Sequence, residues 1–359
     1  MIVGIDASRA FVKERTGIEE YSYQIIKNLR GELKDRQVVL YTRPGGDEQV
    51  DFDLPKKWQI KILPWKYLWT QLALSLELLI NPVDILLVPA HTIPLIHPKR
   101  SFVVVHGLEY EFSPESYSWR SRLFHKFFIK KSCRWARKII AVSEKTKNDL
   151  INLYNIKSGK IIVIGNGFNL EASQNYKTLK VKYKNFLFFI GRLEERKNIT
   201  GIIKAFNIFK NKYNYKGKLL LAGGQGYGYD KIKQAINQSK FKSDIVELGF
   251  IDERKKWSYL KQADIFIYPS LFEGFGIPIL EAQSVGTPVI TSDRSPTKEV
   301  AGDQRILVNP EKPNKIAKLA NKILKDRELH TDITEQGLKN IRKYSWKKSA
   351  DKIGKLLQN

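Results

Sequence analysis

One cysteine, Cys133, stands among 359 residues, so an internal disulfide is impossible and almost no material exists for a zinc cluster. No apolar run approaches the ~20 residues that a membrane-crossing helix needs. The opening stretch carries Asp6 within its apolar residues, which reads as a buried strand and not as a signal peptide. Acid is scarce: Asp and Glu number 37 against 62 Lys and Arg, a formal net charge of +25. So strong an excess points to an anionic partner such as nucleic acid, an acidic membrane face or a phosphorylated ligand. The expectation is a cytoplasmic protein, with the inner face of a membrane as a surface it can lie against. Hydrophobic residues make up 42% and aromatics 11%, enough for a packed core, and the length suits two domains or one large one.

Short β-rich runs alternate with longer helical patterns. Asp84–Val88 and Phe102–Val105 are continuous apolar runs, as expected of parallel strands buried on both faces. Ser143 is an N-cap for a helix beginning at Glu144. The polar, lysine-rich stretch 171–184 reads as a linker, after which the alternation restarts. The pattern predicts two doubly wound α/β domains, 1–170 and 185–340, and a closing segment, 341–359. Ligands of such sheets bind beyond the C-terminal ends of the strands.

The sharpest segment runs from Tyr268 to Glu281, YPSLFEGFGIPILE. A buried strand ends at Pro269, a loop holds Glu273, Gly274 and Gly276, and Pro278 falls in a first helical turn. Such a strand–glycine loop–helix unit aims backbone N–H groups at an anion. Glu273 and Glu281 supply carboxylates eight residues apart, and a carboxylate can accept two hydrogen bonds from a sugar diol. Upstream, Gly191-Arg192 and Lys197 lie at a strand end beside a helix start, where two fixed cations can hold a diphosphate. Arg196 is a lower-ranked substitute cation, and Glu194 and Glu195 are the obvious salt-bridge partners. His106 directly follows the apolar run Val103–Val105, and glycine loops stand at Gly17 and Gly223.

These strings resemble the retaining nucleotide-sugar glycosyltransferases of the GT-B family usually numbered four. Glu273 to Glu281 is similar to its E-x7-E motif and Gly191 to Lys197 to its diphosphate clamp. The resemblance implies a GT-B fold: two Rossmann-like domains facing across a cleft, the first on the acceptor side and the second binding donor. It implies that Glu273 contacts the donor sugar, Glu281 the nucleotide ribose, and Arg192 and Lys197 the diphosphate. The backbones of Gly274, Phe275 and Gly276 would meet sugar and phosphate, and Gly17 and Gly223 would line the donor. His106 would face the donor sugar, but the aspartate that commonly follows it is replaced by Gly107, with Glu109 a weak substitute. The final segment from Trp346 resembles the helix that crosses back to the first domain.

The resulting expectation is transfer of a hexose, mannose mildly preferred, from a GDP- or UDP-sugar to a glycan or lipid-linked saccharide in surface polysaccharide synthesis. No metal or other cofactor is expected. Arg192, Lys197 and a helix dipole would replace the metal, and the metal-type motif Asp51-Phe52-Asp53 is discounted as chance. A basic aromatic helix, Trp119–Lys138, holds eight Lys or Arg and no acid. Together with Trp65–Trp69 it suits an anionic membrane surface. Nucleic-acid binding is the rival from another class, but no RNP, KH or zinc signature appears, and no nucleic-acid partner is expected. A catalytically silent donor-binding subunit is the other alternative.

Overall fold

The structure is a computed structural model. It describes residues 1–15, 17–65, 67–170, 173 and 176–358. Thr16, and four residues of the stretch read as a linker, lie outside that set. The chain divides into two units, Met1–Gly167 with Tyr344–Asn359, and Phe168–Lys343.

The first unit is built on seven parallel strands: β1 (Ile2–Asp6), β2 (Gln37–Thr42), β3 (Trp58–Ile62), β4 (Ile85–Val88), β5 (Arg100–Val105), β6 (Lys138–Ala141) and β7 (Ile161–Val163). Their spatial order is β3-β2-β1-β4-β5-β6-β7. The inner strands are largely apolar because both faces are covered, whereas the edge strand β3, WQIKI, is partly exposed. In β4, Ile85 and Leu87 join a core beneath the helix Gly17–Leu33, while Leu86 joins the opposite core with Trp69, Leu74 and Ile129. Ser143 caps its helix as expected, its Oγ accepting from the Thr146 N–H at 3.1 Å. The helix Trp346–Gln358 belongs to this unit and lies on Gly17–Leu33. Gly354 permits the approach, since a Cβ there would come within 2.6 Å of Glu32 Cβ.

The second unit carries six parallel strands: β8 (Phe186–Ile190), β9 (Lys218–Ala222), β10 (Ile245–Gly249), β11 (Ile265–Tyr268), β12 (Val289–Ser292) and β13 (Leu307–Val308). Their order is β10-β9-β8-β11-β12-β13. Strand order therefore reverses between β1 and β4 in one sheet and between β8 and β11 in the other. The crevice at such a reversal, beyond the carboxyl ends of the strands, is where doubly wound sheets bind ligands.

Several elements depart from the sequence reading, among them the strand β13 and the short helices Glu109–Phe112 and Thr297–Ala301, for which it has no counterpart. Residues 176–184 have no regular structure but are tied to the helix Glu253–Gln262, with Gln262 Nε2 donating to Leu179 O at 2.7 Å and Leu179 N–H to Ser258 Oγ at 2.9 Å. A helix at Arg327–Asn340 follows the expected one at 312–327, restarted by Asp326, whose carboxylate accepts from the Leu329 N–H. The helix Ala73–Ile80 was not anticipated. It buries Leu74 and Leu78 yet leaves Leu72 just before it, and Leu76, Leu79 and Ile80 on it, exposed. Apolar residues on both faces erase the 3.6-residue period that announces an amphipathic helix. The aromatic segment before it also divides: Trp65 and Tyr67 are exposed, whereas Trp69 is core, its Nε1 donating to Leu63 O at 3.1 Å. In the basic helix, observed at Trp119–Trp135, Ile129 and Cys133 are buried while Trp119, Leu123 and Phe127 face outward.

Candidate active site

At the reversal of the second sheet, β8 runs into Gly191 and β11 into Pro269. Lys197 ends a 3-10 turn, Glu195–Lys197, that follows β8. Asn198, in a left-handed conformation, then opens the helix Ile199–Tyr213. The Asn198 side chain is buried and donates to Pro269 O at 3.1 Å and to Pro310 O at 2.7 Å, clipping this turn to the end of β11.

Lys197 and Glu273 meet there, both about 7% exposed. Lys197 Nζ donates to Glu273 Oε1 at 2.5 Å and to the Tyr268 hydroxyl at 2.8 Å. An ammonium has three N–H groups, so one remains. Arg196 holds the other carboxylate oxygen, Oε2, at 3.2 Å and also pairs with Glu194 at 2.7 Å. Burial alone would raise the Glu273 carboxyl, but Lys197 and Arg196 outweigh it and hold it down at about 2. The carboxylate is thus ionised and pinned.

Arg192 behaves differently. Its expected partners are taken, Glu194 by Arg196 and Glu195 by Lys231 at 2.5 Å. Arg192 is exposed and forms no ion pair among the described residues. Its stem is lodged against Gly226, where a Cβ would come within 2.7 Å of Arg192 Cγ and Cδ. The two cations and two carboxylates around Glu273 balance, so Arg192 is the surplus positive charge of this edge.

The glycine loop after β11 begins the helix Ile277–Ser284, with Pro278 in its first turn. Gly276 has φ of 111°, a left-handed backbone that favours glycine. The N–H groups of Gly274 and Gly276 donate to no group among the described residues, and Phe275 between them is buried. Glu281, one turn along, accepts from Lys256 Nζ at 2.7 Å. Gly223 has another duty. A Cβ there would lie 2.0 Å from Gly191 O, and its N–H is spent on Gly249 O at 2.7 Å. It lets two loops close together, and its amide is not free for a phosphate.

In the first unit His106 follows β5 and is buried. Its Nε2 donates to Pro89 O at 2.8 Å. A carbonyl can only accept, so the proton sits on Nε2 and Nδ1 is left as an acceptor. Burial pulls its pKa down to about 4, against the Pro89 hydrogen bond and Glu19. The rings of Tyr21 and His91 meet it edge-on at 4.6 and 5.2 Å. Beside it Glu109 folds over Gly107: a Cβ at 107 would lie 2.5 Å from Glu109 Oε1. Among the described residues, apart from its chain neighbours and its own helix backbone, no atom lies within 4 Å of the Cβ position at Gly17, which begins its helix. The sequence reading missed His91, a non-glycine residue at φ 62° just beyond β4, at the strand-order reversal. Sustained positive φ leaves no signature in composition or spacing.

Two family models match this chain in succession, Glycosyltransferase Family 4 over residues 15–172 and Glycosyl transferases group 1 over residues 172–340. The chain belongs to this glycosyltransferase family. Among curated relatives, the O-antigen chain mannosyltransferase B of Escherichia coli is 25% identical over 260 residues, 69% of this enzyme and 67% of that protein. The O-antigen chain mannosyltransferase RfbU of Salmonella typhimurium is 25% identical over 311 residues, 83% and 84% of the two chains. Among solved structures, Anabaena HepE in complex with UDP and glucose aligns over 100% of this enzyme and 99% of that chain, with a TM-score of 0.72 at 15% identity. The glycosyltransferase thus has the GT-B architecture of two Rossmann-like parallel-sheet domains.

Proposed function

We propose that this glycosyltransferase moves a hexose, with mannose preferred, from a nucleoside diphosphate sugar to a hydroxyl of a glycan or lipid-linked saccharide in surface polysaccharide synthesis. The observation that carries the reading is the pinned, ionised Glu273 beside uncommitted amides and a surplus arginine, all at the strand reversal of one sheet. The O-antigen mannosyltransferase relatives support the sugar and the pathway class.

In this reading the amides of Gly274 and Gly276 and the helix start receive the diphosphate, with Phe275 closing the loop around them. Arg192 and the third N–H of Lys197 neutralise the charge that grows on the diphosphate as the bond to the sugar C1 breaks. These cations do the work of a metal, so no metal is required. Glu273 orients the sugar hydroxyls and Glu281 the ribose. The acceptor oxygen bonds to C1 from the face the diphosphate leaves, and its proton passes to a diphosphate oxygen, so configuration is retained. Within the first unit, His106, neutral with Nδ1 left to accept, and the backbone at Gly17 are the groups offered to a sugar ligand.

No helix among the described residues is long and apolar enough to cross a membrane. The reading places the first unit on an anionic membrane face. The exposed side of Ala73–Ile80 offers apolar residues, and the neighbouring helix Trp119–Trp135 offers basic ones without any acid. The two helices pack on the same sheet face, bridged through Ile93, whose N–H donates to Ser132 Oγ at 2.8 Å and whose carbonyl accepts from Gln71 Nε2.

The test is a thermal-shift panel of GDP, UDP, TDP and their sugars, with and without EDTA. A ligand at ~100 times its Kd should stabilise by ~2.7 kcal/mol. One base stabilising the enzyme equally in EDTA is the expected result. A response abolished by EDTA would overturn the metal-free reading, and silence from every nucleotide would overturn the donor site.

A further inference from the structure

Glu281 does not stand alone on its helix. Lys256 reaches it from the neighbouring helix Glu253–Gln262, with Nζ 2.7 Å from Glu281 Oε1 and 2.8 Å from Glu253 Oε1. The Lys256 ammonium also lies 4.7 Å from the centre of the Trp257 ring. Only 12% of the Lys256 side chain and 14% of the Glu281 side chain are exposed, whereas Glu253 is largely open to water. The inner pair is therefore sheltered, and the outer carboxylate holds the lysine from behind. Glu281 Oε2 has no partner among the described residues and is not among the buried unpaired atoms. One oxygen is fixed by the lysine and the other is left to accept.

We propose that Lys256 is a positioning residue that makes the donor site select ribonucleoside over 2′-deoxyribonucleoside diphosphates, resting on the reading of Glu281 as the ribose contact. A glutamate side chain has three torsions, and left free it would meet a diol in many orientations. Anchoring one oxygen fixes the carboxylate plane before ligand arrives, so the ordering cost is met in advance. An anchored carboxylate also discriminates. When a ligand lacks one hydroxyl, the acceptor built for it is left unpaired in a sheltered site, which is how polar sites reject analogues. Lysine suits the task because an ammonium only donates, so it competes with the ribose for nothing that the ribose offers.

The experiment measures, by titration calorimetry, binding of UDP and GDP and of their 2′-deoxy counterparts to the full-length enzyme. The wild type should bind the ribo form of its preferred nucleotide at least tenfold more tightly than the deoxy form. In Lys256→Met the ribo form should weaken about tenfold and the deoxy form less than twofold, with the loss in turnover falling on donor KM. Lys256→Arg should recover most of the discrimination. A Lys256→Met enzyme that still discriminates tenfold, whatever its melting temperature, overturns the proposal. Glu281→Ala separates the two levels. If Glu281→Ala abolishes discrimination while Lys256→Met keeps it, the ribose reading stands and Lys256 is only structural. If the wild type does not discriminate, or if Glu281→Ala discriminates as well as the wild type, the ribose reading itself falls.

Discussion

At Glu273, burial and pairing pull in opposite directions, and pairing prevails. The consequence is a stability that depends on acid. Unfolded, this carboxyl takes up its proton near 4.5, and folded only near 2. Its contribution is therefore complete above about pH 4.5 and lost as pH falls towards 2, a total of roughly 3 kcal/mol at ~1.4 kcal/mol per pH unit. His106 acts in a higher window with the same sign. The unfolded ring protonates near 6.5 and the buried one near 4, so stability falls as pH drops between those values. Urea unfolding as a function of pH should show both slopes, with Glu273→Gln flattening the lower and His106→Gln the upper. An unchanged profile in either variant would refute its assignment. In turnover, Lys197→Ala should lower kcat/KM by ~10²-fold or more, as removing a donor to a developing anion does. Activity within threefold of wild type would remove Lys197 from the diphosphate site. The motifs singled out Lys197, Glu273 and Glu281 as candidates, because Lys197 and Glu273 follow strand ends and Glu281 lies one turn into the helix after the glycine loop. It did not identify their partners. Glu194 looks like a partner of Arg192 but pairs with Arg196, and Lys256 reaches Glu281 from another helix. Such pairings depend on how two elements dock, which no local spacing encodes.

Among the elements, the glycosyltransferase's inner strands were legible because burial on both faces demands apolar runs, whereas the two-residue β13 is too short to leave a pattern. The Gly276 loop was legible because only glycine accepts its φ comfortably. The helix Ala73–Ile80 was not, since a helix apolar on all sides gives no period to read. Its outward face makes a prediction of its own. Flotation with vesicles of phosphatidylglycerol and phosphatidylcholine should recover the wild type at low salt. The double variant Leu76→Ser, Leu79→Ser should lose most of that binding without loss of nucleotide binding. Removing two exposed leucines forfeits roughly 3–6 kcal/mol of burial in lipid. Equal flotation of both proteins would clear this helix of the role, and a change in oligomeric state instead would point to a second copy as its cover.

For the molecule as a whole, the alternation of strands and helices disclosed two doubly wound units, while the exact ownership of segments needed the packing. Residues 176–184 look like a spacer by composition, yet their backbone is bonded to the second unit. The closing helix returns to the first. Trp346, Ala350, Ile353 and Leu357 are all core there. At ~1.5–3 kcal/mol for each of the three large side chains, their burial is worth roughly as much as a domain's entire margin. Truncation after Lys343 should unfold the first unit and leave nucleotide binding by the second. Hydrogen exchange would show this as lost protection in β1 and β4 with β8 and β11 still protected. Protection retained in β1 would mean that the helix is dispensable.

That return also sets a timetable for synthesis. The ribosome delivers Phe168–Lys343 whole before it makes Trp346–Gln358, so the second unit has all its parts first. At ~5–20 residues per second the earlier-made unit waits roughly ten to forty seconds with Tyr21 and Leu29 uncovered. Of the two units, the one begun first is completed last, and in that interval its apolar strip is open to a nascent-chain chaperone.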